Sequence, residues 1–220
     1  MVRLNYREEW MQAAPAFDLF TIGHSNSPIE HFVALLQQAS VSAIVDVRSV
    51  PHSRWCPWFS QKKLAPRLAA AGMSYTFEGD ALGGRPRHER LYRDGLADYE
   101  AMAKEPQYLD GVARVIAEAA RSRLCLMCAE REPLDCHRCL LVARSLAERG
   151  LTVGHILHDG TILPQTEIER RLLPLAGEGR DLFASGHDER LAAAYRHRAH
   201  AAAYRRPPNK PTRAFAAERR

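Results

Sequence analysis

Five short, largely apolar runs alternate with helix-like segments, and this alternation constrains the chain more than any other feature of it. "FDLFTIGHS" (17–25), "VSAIVDVRSV" (41–50), "MSYTFEG" (73–79), "RLCLMCAE" (123–130) and "LTVGHILHDG" (151–160) read as strands. Between the first two lies "SPIEHFVALLQQAS", with apolar residues at Ile29, Phe32, Val33, Leu35 and Leu36. Ser25 or Ser27 is its expected cap, and Pro28 stands in the first turn. "SQKKLAPRLAAAG" is a second helix closed by Gly72, and "ADYEAMAKEPQYLDGVARVIAEAARS" a long helical region broken at Pro106. "CHRCLLVARSLAERG" is an amphipathic helix ending at Gly150. Strands and helices alternating at this spacing predict an α/β fold, a Rossmann-like three-layer sandwich with a mostly parallel sheet of about five strands. No internal repeat is visible.

A chain of 220 residues with 46% hydrophobic content can bury one substantial core. The expected division is an amino-terminal extension (1–16), a single α/β domain (17–177) and a basic tail (178–220). The formal charge of +5 belongs to that tail, where ten Arg or Lys stand against five Asp or Glu. The tail includes "YRHRAHAAAYRRPPNKPTRAFAAERR", which starts as an alanine-rich helix, meets Pro207 and Pro208, and shows no later apolar periodicity. It reads either as a solvated, helical or disordered extension or as an arm for nonspecific nucleic-acid contact. No apolar run approaches the roughly 20 residues a membrane span needs, and "MVRLNYREEW" carries charges where a signal peptide needs apolar residues. A cytoplasmic protein without membrane contact is expected, so its five cysteines read as thiols or ligands before disulfides.

The unusual polar residues follow the strands. "GHSN" (23–26) follows the first, Asp46, Arg48 and "PHSR" (51–54) the second, and "LGGRPR" (82–87) the third. "CAE" (128–130) ends the fourth and "HDG" (158–160) the fifth. Ligands bind open parallel sheets outside the carboxyl ends of the strands, so these segments are expected to converge on one cleft. Arg48, Arg54, Arg85, Arg87 and Arg138 around it suit phosphate or carboxylate, and Gly83 and Gly84 let a ligand approach backbone. Trp55, Trp58 and Phe59 either stack a base or cap the core. Neither a dinucleotide glycine fingerprint nor a P-loop occurs.

"LCLMCAEREPLDCHRCLL" (124–141) holds four of the five cysteines as C-x2-C-x7-C-x2-C. Residues three apart on a strand face opposite ways, so Cys125 and Cys128 cannot chelate one ion in the manner of a four-cysteine knuckle. Cys139 is expected to pack with Leu140 and Val142 in the core. Cys128, leaving the strand, and Cys136, His137 and Arg138, opening the next helix, are expected to face one another. A thiolate at a helix start beside an arginine is stabilised, so Cys136 is a nucleophile, a resolving thiol, a ligand or a buried structural thiol. Glu130 and Asp46 each read as a general acid or base, or as a partner for Arg48 or Arg138.

"TIGHSN", "VDVRSVPHSR" with Phe59 downstream, "LGG" and "MCAEREPLDCHR" followed by "HIL" and "DG" together resemble the bacterial and archaeal family called domain of unknown function 488, over roughly Phe17 to Gln165. The resemblance implies an α/β architecture. It implies also that Cys128, Glu130, Cys136, His137 and Arg138 belong to the family motif, with Cys125 and Cys139 as additions. It implies no activity.

The leading expectation is an enzyme, a hydrolase or transferase, holding an anionic, phosphate-, nucleotide- or nucleic-acid-containing substrate. Its catalytic candidates are Glu130, Asp46, Cys136, Cys128 and His24. Its substrate-binding candidates are Ser25, Asn26, Arg48, Ser53, Arg54, Gly83, Gly84, Arg85, His137, Arg138 and Asp159, with no metal and no cofactor assigned. The alternative is a redox or metal-binding sensor that holds zinc or iron through Cys128, Cys136 and His137 and touches nucleic acid with its tail.

Overall fold

The computed structural model describes residues 17–176 and 186–207; the extension 1–16 and the remainder of the tail lie outside the described residues. In chain order the elements are β1 (Leu19–Gly23), α1 (Ile29–Gln38), β2 (Ala43–Asp46), α2 (Gln61–Ala70), β3 (Ser74–Phe77) and α3 (Gly79–Leu82). Then come β4 (Tyr92–Arg93), β5 (Leu96–Ala97), α4 (Tyr99–Met102), α5 (Pro106–Ala119) and β6 (Leu124–Cys128). A π-helical stretch (Arg138–Ala143) leads into α6 (Arg144–Ala147), followed by β7 (Val153–Ile156), β8 (Ile162–Pro164), α7 (Gln165–Leu172) and α8 (His187–Ala202).

The central sheet runs β3-β2-β6-β1-β7-β8, parallel throughout except for β8 against β7. The fold is α/β and mostly parallel, as the alternation implies. Its five parallel strands are those read from the sequence. The sixth, β8, is a three-residue edge strand ending in proline, too short to show a period. A separate β4-β5 hairpin flanks the sheet.

Both faces of the sheet are covered, which is why its strands read as continuous apolar runs. Phe20, Ile22, Ile44, Cys125 and Met127 pack on one face with Phe32 and Leu36 of α1 and Leu64 and Leu68 of α2. Leu19, Val45, Leu124, Leu126 and Cys128 pack on the other with Val112 and Val115 of α5, Leu140, Leu146 and Tyr195. Each large side chain so buried contributes about 1.5–3 kcal/mol.

Several local details depart from expectation. Neither Ser25 nor Ser27 caps α1, which has no side-chain cap; the Ser27 hydroxyl lies 3.2 Å from His158 Nδ1 instead. The segment 136–150 is not one regular α-helix. The Tyr108 hydroxyl donates to the Leu141 carbonyl at 3.1 Å, and a side chain inserted into the helical ladder favours such a π-helical stretch. The alanine-rich tail segment does form a helix, α8, but a docked one: Ala194 and Tyr195 are buried, and the Tyr195 hydroxyl donates to Glu169 at 2.9 Å. No helix among the described residues is long and apolar enough to cross a membrane.

This topology positions the site. From β1 the chain passes over to β2 through α1, whereas from β6 it returns past β1 to β7 on the opposite face. The carboxyl ends of the adjacent strands β2, β6 and β1 therefore border a crevice whose connections leave in opposite directions, a topological switch point.

Candidate functional site at the strand ends

Asp46 ends β2 in register with Met127, and Gly23 ends β1 in register with Cys128, so three strand ends meet. Asp46 is fully buried and grips Arg48, accepting from Nε at 2.9 Å and from NH2 at 2.6 Å. The Tyr75 hydroxyl donates to the same carboxylate at 2.6 Å. Arg48 also donates from NH2 to the Phe59 carbonyl at 2.8 Å and from NH1 to His24 Nε2 at 3.1 Å. Of its five N–H groups only the second on NH1 has no acceptor among the described residues, and Arg48 lines the cavity described below.

The tautomer of His24 follows from its partners. The Ser25 carbonyl, 2.7 Å from Nδ1, can only accept, so Nδ1 carries the proton and Nε2 is the lone pair that receives Arg48. Burial, reinforced by the Arg48 charge, pushes the His24 pKa down to about 4. The ring stacks on Phe59 with centroids 4.2 Å apart.

The second half of the site comes from the end of β6 and the turn that follows. Cys128 Sγ and Cys136 Sγ each lie 2.9 Å from Glu130 Oε2. His137 Nδ1 lies 3.6 Å from the first sulfur and 3.9 Å from the second. The four donor atoms are within 4.8 Å of one another, a set able to hold a metal ion. Arg138 is fully buried beneath them and donates to the carbonyls of Glu130 at 2.6 Å and Arg131 at 3.0 Å. Its Nε has no hydrogen-bond partner among the described residues.

The thiols are electrostatically unequal. Burial pushes the Cys128 thiol well up, and its hydrogen bond with Cys136 adds to this. Burial also opposes a thiolate at Cys136, but the bond from Cys128 and the charges of Arg138 and His137 outweigh it and hold Cys136 well below the ordinary range. Loss of hydration, then the adjacent Cys136 charge, raises the Glu130 pKa. Cys128 lines the cavity; Cys136, only 1% exposed, does not.

Both halves border one cavity of about 320 Å³. Among the sequence candidates it is lined by His24, Arg48, Ser53, Gly84, Arg85, Cys128, Glu130 and His137. Asp46, Cys136 and Arg138 stand behind these residues and hold them. Gly83 is buried beside the lining, while Ser25, Asn26 and Arg54 lie off the cavity, the last two on the surface. Asp159 is also apart: exposed, it accepts from the Thr161 N–H at 2.9 Å and closes its own turn. Phe59 is core, and Trp55 is 87% exposed outside the cavity. Cys125 belongs to the opposite face of the sheet, and Cys139 is fully buried.

Two glycines permit the close packing. A Cβ on Gly23 would collide with the Glu130 carbonyl, and one on Gly84 would meet His137 Cγ at 2.7 Å. Ser49 and His52, both within the "VDVRSVPHSR" segment, also line the cavity, as do Tyr99 and Tyr204, which no motif in the sequence marks. Tyr204 reaches it from the tail, its ring under the Arg85 guanidinium at 4.6 Å. A larger cavity, about 600 Å³, lies near the amino ends of the strands by Phe17, Thr152 and Val153 and holds no comparable cluster of thiol, imidazole and carboxylate.

A family model described as "Domain of unknown function DUF488" matches residues 28–145, just over half of the chain. The chain belongs to this family. The matched DUF488 region contains Asp46, Arg48, Gly84 and the whole Cys128–Arg138 segment, whereas His24 precedes it and Tyr204 follows it. No curated protein and no solved structure matches the chain.

Proposed function

We propose that the protein is an enzyme that binds a small anionic substrate of the phosphate-containing class in the switch-point cavity and carries out hydrolysis or group transfer on it. One observation carries this reading: a single cavity is bordered by two arginines, Arg48 and Arg85, and by Glu130 and Cys128. Arg48 is held by Asp46, His24 and Phe59 with one N–H uncommitted among the described residues, so it offers a directed donor; Arg85, on the rim, supplies charge whose field no bonded carboxylate among the described residues offsets. Because Asp46 neutralises Arg48, that arginine contributes donor geometry while Arg85 contributes the net charge. Glu130, at the mouth of the cavity, is the group placed to move a proton.

Size and charge favour a small molecule over nucleic acid. The volume is at the low end for ligand pockets. In the described tail Arg196 pairs with Glu100 at 3.5 Å, Arg198 with Asp135 and Arg206 with Glu89, so much of its basicity is engaged by the fold.

The test is thermal shift with inorganic phosphate. The wild-type melting temperature should rise with phosphate concentration as mass action requires, and Arg85→Ala, a rim substitution, should lose most of that rise. An equal rise in both proteins would refute the reading.

A further inference from the structure

Cys128 Sγ, Cys136 Sγ, His137 Nδ1 and Glu130 Oε2 converge from one strand end and one helical start. We infer that they form a site for a single zinc-class divalent cation, with the two sulfurs and the imidazole as fixed ligands and the Glu130 carboxylate as the exchangeable fourth. The inference goes beyond the substrate reading and does not rest on it.

Four observations carry it. The first is spacing: bond lengths of about 2.3 Å to sulfur and 2.0–2.1 Å to nitrogen put sulfur and nitrogen about 3.5 Å apart on a tetrahedral edge. The Sγ to Nδ1 separations are 3.6 and 3.9 Å. Glu130 Oε2, at 2.9 Å from each sulfur, must withdraw by about half an ångström to reach the same edge length. It is the ligand free to do so, because Glu130 alone of the four is exposed.

The second is orientation. His137 Nε2 donates to the Val47 carbonyl at 2.8 Å, which keeps a proton on Nε2 and leaves Nδ1, facing the sulfurs, as the ring atom able to take a metal. Metal-bound histidines are held by the same kind of outer bond.

The third is charge balance. Binding releases to solvent whatever protons Cys128 Sγ, Cys136 Sγ and His137 Nδ1 still hold, and a dication with two thiolates and one carboxylate carries a net charge of −1. Arg138, buried beneath the group with no carboxylate partner among the described residues, supplies the missing positive charge.

The fourth is chemistry. Two thiolates with an imidazole select zinc over hard cations such as magnesium or calcium. An exchangeable carboxylate on the cavity side leaves a position for water or substrate.

The full chain, purified without chelators, should contain one zinc, and the metal-free protein should take up one equivalent of cobalt(II). The cobalt form should show thiolate-to-metal charge transfer and the visible bands of a tetrahedral complex. Cys125→Ser and Cys139→Ser should keep that stoichiometry, whereas Cys136→Ser should weaken cobalt binding at least tenfold. Glu130→Gln should still bind, with a water entering the coordination sphere. X-ray absorption of the zinc-loaded wild type needs no variant and should find two sulfur neighbours. Four sulfurs, no stoichiometric uptake of zinc or cobalt, or unchanged binding in Cys136→Ser would overturn the assignment. Repeating the phosphate thermal shift on metal-free protein separates the two claims, since Arg85-dependent binding stands whether or not a cation is held.

Discussion

His137 and Val47 are joined by a 2.8 Å bond from imidazole Nε2 to main-chain carbonyl, which ties the turn after β6 to the end of β2. A carbonyl only accepts, so Nε2 carries a proton and Nδ1 faces Cys128 and Cys136. Nitrogen-15 NMR of the histidine side chains should therefore find His137 protonated at Nε2, this proton slow to exchange. An Nδ1–H tautomer would mean that the two strand ends are not coupled in this way.

The tail should prove structural. Tyr195 is 2% exposed, and its hydroxyl bonds Glu169 and the Gln165 amide. Truncating so large a buried side chain costs about 3 kcal/mol or more, so Tyr195→Ala should lower stability by that order in urea unfolding. Deleting residues from Gly186 onward should lower the melting temperature further and weaken phosphate binding, because Tyr204 forms part of the cavity wall. An unchanged melting temperature would restore the solvated extension expected from composition.

The alternation of apolar runs was enough to recover the five parallel strands and the cleft, because strand ends in such a sheet share one edge by construction. Directional reasoning also placed Cys125 away from Cys128, since a period of two leaves no other option on a strand. Three things were not legible. The docking of α8 includes a tyrosine meeting Gln165 and Glu169, contacts that no periodicity encodes. The π-helical stretch receives a hydrogen bond from Tyr108, 33 residues before Leu141, a contact that no local pattern encodes. Asp159 carried the same positional signal as Glu130, yet its turn points elsewhere, because polar residues at strand ends close turns as readily as they line clefts.

The buried pair Asp46 and Arg48 should act as a unit. Their side chains are 0% and 6% exposed, and removing one partner of such a pair strands the other charge at a cost of about 3–5 kcal/mol. Asp46→Ala should show that loss and also abolish the phosphate-dependent thermal shift, whereas Tyr75→Phe, which removes one donor to Asp46, should cost about 1 kcal/mol. Equal effects of the two substitutions would contradict the arrangement.

Stability should fall in mild acid through His155. The ring is fully buried between the Thr21 hydroxyl at 2.8 Å and Gln165 Oε1 at 2.7 Å, and burial lowers its pKa to about 4. The unfolded chain binds this proton near pH 6.5 and the folded one does not, so the contribution is complete above pH 6.5 and is lost as pH falls toward 4. The loss amounts to roughly 3 kcal/mol at most. Urea midpoints between pH 7.5 and 4.5 should drop more steeply in the wild type than in His155→Gln; parallel curves would show that His155 does not drive the effect.

The most direct measurement of the central claim is a nitrogen-15 amide spectrum of the full chain titrated with inorganic phosphate. The account predicts shifts confined to the cavity, at Ser49, Ser53, Gly84, Arg85 and Ala129, saturating with one site per chain. Shifts at the amino edge around Thr152 and Val153, or none at any concentration, would contradict it.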